Sequence, residues 1–144
     1  MREFKFRAWD RKFMEMLEVK GFFLKESNIK ILDFIKNDVL TNNGWRDDVE
    51  LMQSTGLLDC NNKEIFEGDI VQHIHSKLPH EWGGNLEVRF DAGRFVVYGG
   101  NPVGIRCGEI FNYYPFNVEI IGNIYEDNHL RSDYDSKNLD GGRD

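Results

Sequence analysis

Short runs of alternating apolar and polar residues, separated by turn-forming residues, constrain the fold of this chain more than any other feature. Phe4, Phe6 and Ala8 alternate with charged residues, which is the period-two pattern of a β-strand with one solvent-facing side. Asp10 to Lys12 is a predicted turn, and Phe13 to Val19 is a predicted second strand. The first twenty residues therefore predict a β-hairpin.

The same pattern recurs along the sequence. Strands are predicted at residues 21–24, 29–35, 49–53, 70–75, 86–90, 94–98 and 118–125, with Gly93 at the reversal of a second hairpin. Residues 36–48 and 76–85 are predicted loops, and residues 99–108 are predicted to be irregular. The loop at 36–48 is the expected boundary inside the fold. The closing strand is expected to pair near the amino-terminal hairpin and cover its edge.

Composition supports strands over helices. Aromatic residues make up 13% of the 144 residues, whereas alanine, the strongest helix former, occurs only at Ala8 and Ala92. We expect an all-β fold, mainly antiparallel and with little helix, in a barrel-like or SH3/OB-like sheet. One domain is predicted over residues 1–127, followed by a polar and flexible tail over 128–144.

Charge and cysteine content narrow the classes of function. A net charge of −7 disfavours nucleic acid as a partner, because phosphate neutralisation by Lys and Arg provides most of that affinity. Cys60 and Cys107 lack a CxxC or a histidine at ligand spacing, so neither a zinc site nor a disulfide framework is indicated. No apolar run has the length of a signal peptide core or a membrane span. We therefore predict a cytoplasmic protein with two free thiols and no membrane contact.

The central segment, residues 54–71, combines a tight reversal with a Gly-Asp step. Leu57 and Leu58 precede the turn-forming run from Asp59 to Asn62, and Ile65 follows it. Gly68 before Asp69 indicates a backbone position where a Cβ would clash, with the carboxylate accepting local backbone N–H groups. These residues are better explained as architecture than as a site.

Three blocks in this order resemble the YopX family of phage and prophage proteins: MREFKFRAWD, ELMQSTGLLDCNNKEIFEGDIV and VEIIGNIYED. The resemblance implies a mostly β fold, a phage or prophage home and no established biochemical role. It carries over no catalytic or ligand-binding residue. One departure is the central turn, where relatives often have Asn-Gly and this chain has Asn61-Asn62, which an Asn in a left-handed conformation can satisfy.

Two groups of side chains could carry metal chemistry. His73 and His75 lie on one face of a predicted strand, with His80 and Glu81 nearby, so a Zn²⁺ or Ni²⁺ site is conceivable, although surface histidines are the simpler interpretation. Four acids crowd the central block: Asp59, Glu64, Glu67 and Asp69. Their spacing fits no Ca²⁺ loop, so turn capping and solubility explain them better. We predict no catalytic residue, no metal ligand set and no cofactor.

Large aromatic side chains are more numerous than one core of this size needs. The candidates for an exposed binding surface are Trp9, Trp45, Trp82, Tyr98 and residues 111–116. The leading hypothesis is a non-enzymatic phage accessory protein that binds itself as a homo-oligomer, or binds a host or phage protein.

Two alternatives remain open. The first is a nucleic-acid-associated β-barrel with a basic contact edge formed by Arg2, Lys5, Arg7, Arg11 and Lys12. The second is a metal-dependent enzyme around His73, His75 and Glu81.

Overall fold

The structure is a computed structural model that describes residues 4–25, 28–36, 39–45, 48–73, 83–101, 105–106 and 118–131. In these residues the chain forms β-strands and one short 3-10 helix. The strands are β1 (Phe6–Asp10), β2 (Glu15–Lys25), β3 (Asn28–Lys36), β4 (Val39–Trp45), β5 (Val49–Leu58), β6 (Glu64–Phe66), β7 (Asp69–His73), β8 (Gly83–Asp91), β9 (Arg94–Asn101), β10 (Ile105–Arg106) and β11 (Val118–Asn123), and the 3-10 helix is Asn128–Leu130.

The strands form two antiparallel sheets with linear strand orders. One sheet has the order β4-β3-β2-β1-β5-β6 and the other has the order β10-β9-β8-β7-β11. The all-β, mainly antiparallel prediction is confirmed. Among the described strands both sheets are open, so the expected barrel-like shape is not a closed barrel.

The chain divides into two compact units, Met1–Ser54 and Thr55–Asp144. β5 runs through the division, so its first residues pair with β1 in the first unit and its last residues belong to the second. The division falls at Ser54 rather than in the expected boundary at residues 36–48. A single domain over residues 1–127 stays a prediction.

The first unit contains the predicted amino-terminal hairpin. β1 pairs with β2, and the register places Ala8 opposite Leu17 and Asp10 opposite Glu15. A small apolar core joins Ala8, Leu17, Val19 and Val49, and the rings of Phe6 and Phe22 pack edge to face with centroids 4.9 Å apart. Alternate residues of β1 and β2 therefore supply this core, as the period-two pattern predicts, while Trp9 and Asp10 of β1 are buried as well.

The second unit has a larger core, and part of its sheet is buried on both faces. One face of β7, β8 and β9 contributes to a cluster that also receives Ile65 and Val118; its members are Ile65, Val71, Leu86, Val88, Val97 and Val118. Ile70 pairs with Glu87, on the face opposite to that cluster, and both are buried. The predicted hairpin of residues 86–98 is confirmed, and its turn at Ala92-Gly93 has positive φ angles at both positions.

Several segments predicted as loops contain strands. Residues 39–45 form β4, which pairs with β3, and the partners of Ile31 and Asp33 are Trp45 and Asn42. This register leaves one extra residue in β4 at Asn43-Gly44, which is a β-bulge. The Asn-Gly signal therefore marks a bulge in a strand rather than a loop. Residues 83–85 likewise belong to β8, residues 99–101 to β9, and residues 105–106 to β10, whereas residues 76–82 lie outside the described part of the chain.

The closing strand was assigned the wrong partner. β11 pairs antiparallel with β7, with Val118 opposite His73 and Ile120 opposite Val71, and not with the amino-terminal hairpin. The alternating pattern of residues 118–125 predicts a strand with a buried face, but it does not identify the neighbouring strand. In the structure, Ile120 of this strand packs on the core of the second unit.

Residues 128–131, which form the start of the predicted tail, are fixed to β8. The Asn85 side-chain amide donates to the Leu130 carbonyl at 2.6 Å, and Arg131 forms an ion pair of 3.0 Å with Glu87. The rest of the predicted tail, residues 132–144, lies outside the described residues.

Candidate functional site

Residues Arg11 to Met14 form the turn between β1 and β2 at the end of the first hairpin. We call these four residues the hairpin tip. Asp10 is 1% exposed, and its Oδ1 accepts the backbone N–H of Lys12 at 2.9 Å and of Phe13 at 3.2 Å. The backbone N–H of Arg11 also donates to the Asp48 carbonyl at 3.0 Å. A buried side chain and a neighbouring backbone group thus fix the shape of the tip.

Two large apolar side chains project from this fixed turn into solvent. Phe13 is 61% exposed and Met14 is 67% exposed. Met14 has a φ of +55°, in the left-handed region that costs a residue with a Cβ about 1–2 kcal/mol. The hairpin tip therefore presents apolar surface without the loss of backbone freedom that a flexible loop would suffer on binding.

Two basic residues of the hairpin tip, Arg11 and Lys12, contact other side chains. The guanidinium of Arg11 lies 3.2 Å from the Glu50 carboxylate, and the Lys12 ammonium lies 5.3 Å from the centre of the Phe13 ring. Arg2, which belongs to the proposed basic edge, lies outside the described residues. Of that edge, Arg11 thus pairs with an acid and Lys12 lies near an aromatic ring.

The aromatic candidates fall into three groups. Trp9 is 5% exposed and belongs to the interior. Tyr98 donates its hydroxyl to Asp91 at 2.8 Å, and the Arg89 guanidinium lies 4.4 Å from its ring centre. The side chain of Trp45, all of Trp82 and residues 111–116 lie outside the described part. Sequence reasoning missed Phe13 and Met14, because their alternation with Glu15 placed them in the second strand.

The central turn is organised by Asp59, which is 1% exposed. Its Oδ1 accepts the backbone N–H groups of Asn61 and Lys63, each at 2.8 Å, and its Oδ2 accepts the Ile120 N–H at 3.0 Å. Burial acts to raise the pKa of this carboxyl. The backbone donors at Ile120, Lys63 and Asn61, with the charge of Lys63, outweigh burial, so the pKa of Asp59 lies below its ordinary value.

Two further predictions about the central segment are confirmed. Asp69 accepts the Phe66 N–H through its carboxylate at 2.8 Å, directly after Gly68, which has a φ of +84°. Asn62 has a φ of +62°, so an Asn supplies the left-handed position expected in the central turn. Asp59 and Asp69 therefore act as turn caps, which was the favoured interpretation of the acidic cluster.

Cys60 is an exposed free thiol within this turn, and Cys107 lies outside the described residues. Desolvation and the nearby carboxylates of Asp59 and Glu119 raise the pKa of the Cys60 thiol. The thiolate, which is the reactive form, is thereby disfavoured at neutral pH.

The proposed metal site cannot be built from the described residues. Only the backbone of His73 is described, in β7, whereas His75, His80 and Glu81 lie outside. No group of three or more His, Cys, Asp or Glu side chains that could hold a metal occurs in the part that is described. The described residues also contain no helix that is long and apolar enough to span a membrane.

Fold and turn geometry together define an all-β protein of two open antiparallel sheets, in which the three sequence blocks are strands and turn caps. The family model for the YopX protein matches residues 5–130. The chain therefore belongs to the YopX family.

Solved structures agree with this assignment. Protein EF1440 from Enterococcus faecalis is 28% identical with a TM-score of 0.64, over 90% of this chain and 99% of that protein. Protein yopX from Bacillus subtilis is 19% identical with a TM-score of 0.57, over 89% of this chain and 98% of that protein, and it supports the fold alone. A comparison with curated proteins gave no match.

Proposed function

We propose that this YopX-family protein is a non-enzymatic phage or prophage accessory protein that acts in the cytoplasm by binding protein through its hairpin tip. The partner is a second copy of the chain or a host or phage protein. The observation that carries the proposal is the exposure of Phe13 and Met14 on a turn that Asp10 holds in place.

The energetics of the hairpin tip favour binding. Full burial of one large apolar side chain contributes about 1.5–3 kcal/mol, and a preformed turn limits the opposing entropy loss. Met14 adds a second argument, because Gly or Asn would occupy its left-handed position at lower cost. A binding role explains why an exposed thioether stands there.

The nucleic-acid alternative has less support. Arg11 is paired with Glu50, and the whole chain carries a charge of −7. Both features weaken the attraction for phosphates on which such binding depends. The metal-dependent enzyme rests on His73, of which only the backbone is described, and on His75 and Glu81, which lie outside the described residues.

The test replaces the exposed side chains of the hairpin tip. Met14→Gly removes the thioether and suits the left-handed backbone, so the free energy of unfolding should change by less than about 1 kcal/mol. Phe13→Ser should likewise leave the fold intact. Each variant should weaken association by roughly tenfold to a hundredfold, which is the effect of losing about 1.5–3 kcal/mol.

Association is measured by light scattering after size-exclusion chromatography and by cross-linking in cells that express the protein. Phe4→Ser is the matched control, because Phe4 is 69% exposed but lies before β1. A wild-type monomer that cross-links to no protein would refute the proposal. Equal association of wild type, Met14→Gly and Phe13→Ser would refute the role of the hairpin tip.

A further inference from the structure

Among the strands that the structure describes, β11 is the last in the order of the second sheet, and β7 is its partner on one side. Successive residues of a strand direct their backbone N–H and C=O groups to opposite sides. The Val118 carbonyl and the Ile120 N–H point away from β7, since each bonds to the turn that follows β5. An outer strand with such groups is a template for further strand pairing.

The β5–β6 turn, residues 59–63, covers this outer edge. The Cys60 N–H donates to the Val118 carbonyl at 2.9 Å, and the Ile120 N–H donates to Asp59 Oδ2 at 3.0 Å. These bonds occupy an acceptor and a donor that an added strand would use. A side chain and a backbone group thus replace a neighbouring strand along part of β11.

One carboxylate performs two tasks in this arrangement. Oδ1 of Asp59 accepts the Asn61 and Lys63 N–H groups and so shapes the turn, while Oδ2 holds the edge of β11. Removal of the carboxylate would therefore loosen the turn and free the Ile120 N–H together. Asp69 differs, because its carboxylate accepts the Phe66 N–H in the following turn.

We propose that the β5–β6 turn guards the outer edge of β11, and that loss of the Asp59 carboxylate lets a second copy of the chain pair there through its own β11. Antiparallel pairing of the same strand in two copies is self-complementary and closes as a two-fold dimer. A register centred on Ile120 places Glu119 opposite Ile121 of the second copy, which avoids facing two Glu119 carboxylates. This inference is independent of the proposed function.

The test uses Asp59→Ala and Asp59→Asn in the full chain, in the Phe13→Ser background, so that association through the hairpin tip does not contribute. Asp69→Asn in the same background is the matched control, because Asp69 is a similarly buried turn-capping carboxylate. Mass is measured by light scattering over a range of protein concentrations. Amide hydrogen exchange of the peptide covering β11 locates the contact.

We expect the mass of the Asp59 variants to approach twice that of the background chain as concentration rises, with slower exchange in β11 at high concentration. The Asp69 variant should stay at the background mass. The proposal is overturned if the Asp59 variants keep that mass, if exchange in β11 is independent of concentration, or if Asp69→Asn dimerises equally. If Asp59→Ala does not fold, Asp59→Asn, which preserves the side-chain shape, decides the outcome.

Discussion

Single aspartates hold the turns of this protein. Asp10, Asp59, Asp69 and Asp127 each accept at least one nearby backbone N–H through the side chain. Asp side chains bond readily to backbone groups a few residues away, which stabilises a turn at the end of a strand. Each of the three YopX sequence blocks contains one or more of these residues. The aspartates in the three blocks are therefore explained by their role in stabilising turns.

Acid should weaken the protein through Asp59. Its folded-state pKa is lowered because its backbone donors outweigh the effect of burial. A lowered pKa contributes stability that is fully present above the unfolded-state value of about 4, and this stability is lost as pH falls through the lower folded value. Urea unfolding of wild type and Asp59→Asn should therefore show a gap of about 1–3 kcal/mol at neutral pH that narrows below pH of about 4. Parallel curves for the two proteins at all pH values would contradict this assignment.

The sequence predicts which residues stabilise turns more successfully than it predicts which turn residues are exposed. The Gly68-Asp69 step and the left-handed Asn62 follow from local steric and hydrogen-bonding preferences, which neighbouring residues largely determine. Met14 was assigned to a strand, because its alternation with Phe13 and Glu15 suits one. The Asp10 side chain accepts the N–H groups of Lys12 and Phe13, and the resulting turn includes four residues, Arg11 to Met14. The alternation of apolar and polar residues does not reveal the length of this turn.

At the level of the elements, strand existence is more predictable than strand pairing. Both hairpins are formed by neighbouring strands, so turn signals between alternating runs identify them. β4 was missed because its polar residues resemble a loop, and the pairing with β3 decides its conformation. β11 was found but paired wrongly, since its partner β7 lies far away in the sequence.

The exit from β11 depends on a close approach at Gly122. A Cβ at this position would lie 2.6 Å from Asp127 Oδ2 and 2.9 Å from Asp127 Cβ. That carboxylate accepts the Asn123 N–H at 3.2 Å, so its displacement breaks a bond that shapes the turn. We expect Gly122→Ala to lower the free energy of unfolding by about 1–3 kcal/mol, as overpacking does.

A double-mutant cycle with Asp127→Ala isolates the contact of position 122 with the Asp127 carboxylate. Once the carboxylate is absent, adding Ala at position 122 should cost less than in the wild type, and denaturant unfolding of the four proteins measures the difference. Strictly additive effects of the two substitutions would show that the cost of Gly122→Ala does not come from the Asp127 carboxylate.

On the scale of the whole molecule, each compact unit has its own apolar core. Leu17 lies in the core of the first unit and Ile65 in that of the second, and both are nearly fully buried. β5 is one continuous strand that takes part in both units. The predicted single domain over residues 1–127 requires that the two cores unfold together.

Core substitutions in each unit test this requirement. Leu17→Ala and Ile65→Ala should each lower the free energy of unfolding by about 2–5 kcal/mol. If the units are cooperative, both variants shift one common transition, measured by Trp fluorescence and far-ultraviolet circular dichroism in the same urea series. Two transitions, each moved by only one variant, would show that the units unfold separately.

The pairing of β11 with β7 also has a consequence for synthesis of the chain. β7 lies between β8 and β11 in the sheet. β7 ends at His73 and β11 begins at Val118, so the ribosome makes β8, β9 and β10 before it makes β11. During that interval the edge of β7 is open to strands of other nascent chains. Slow translation between these two points should therefore lower the yield of native protein.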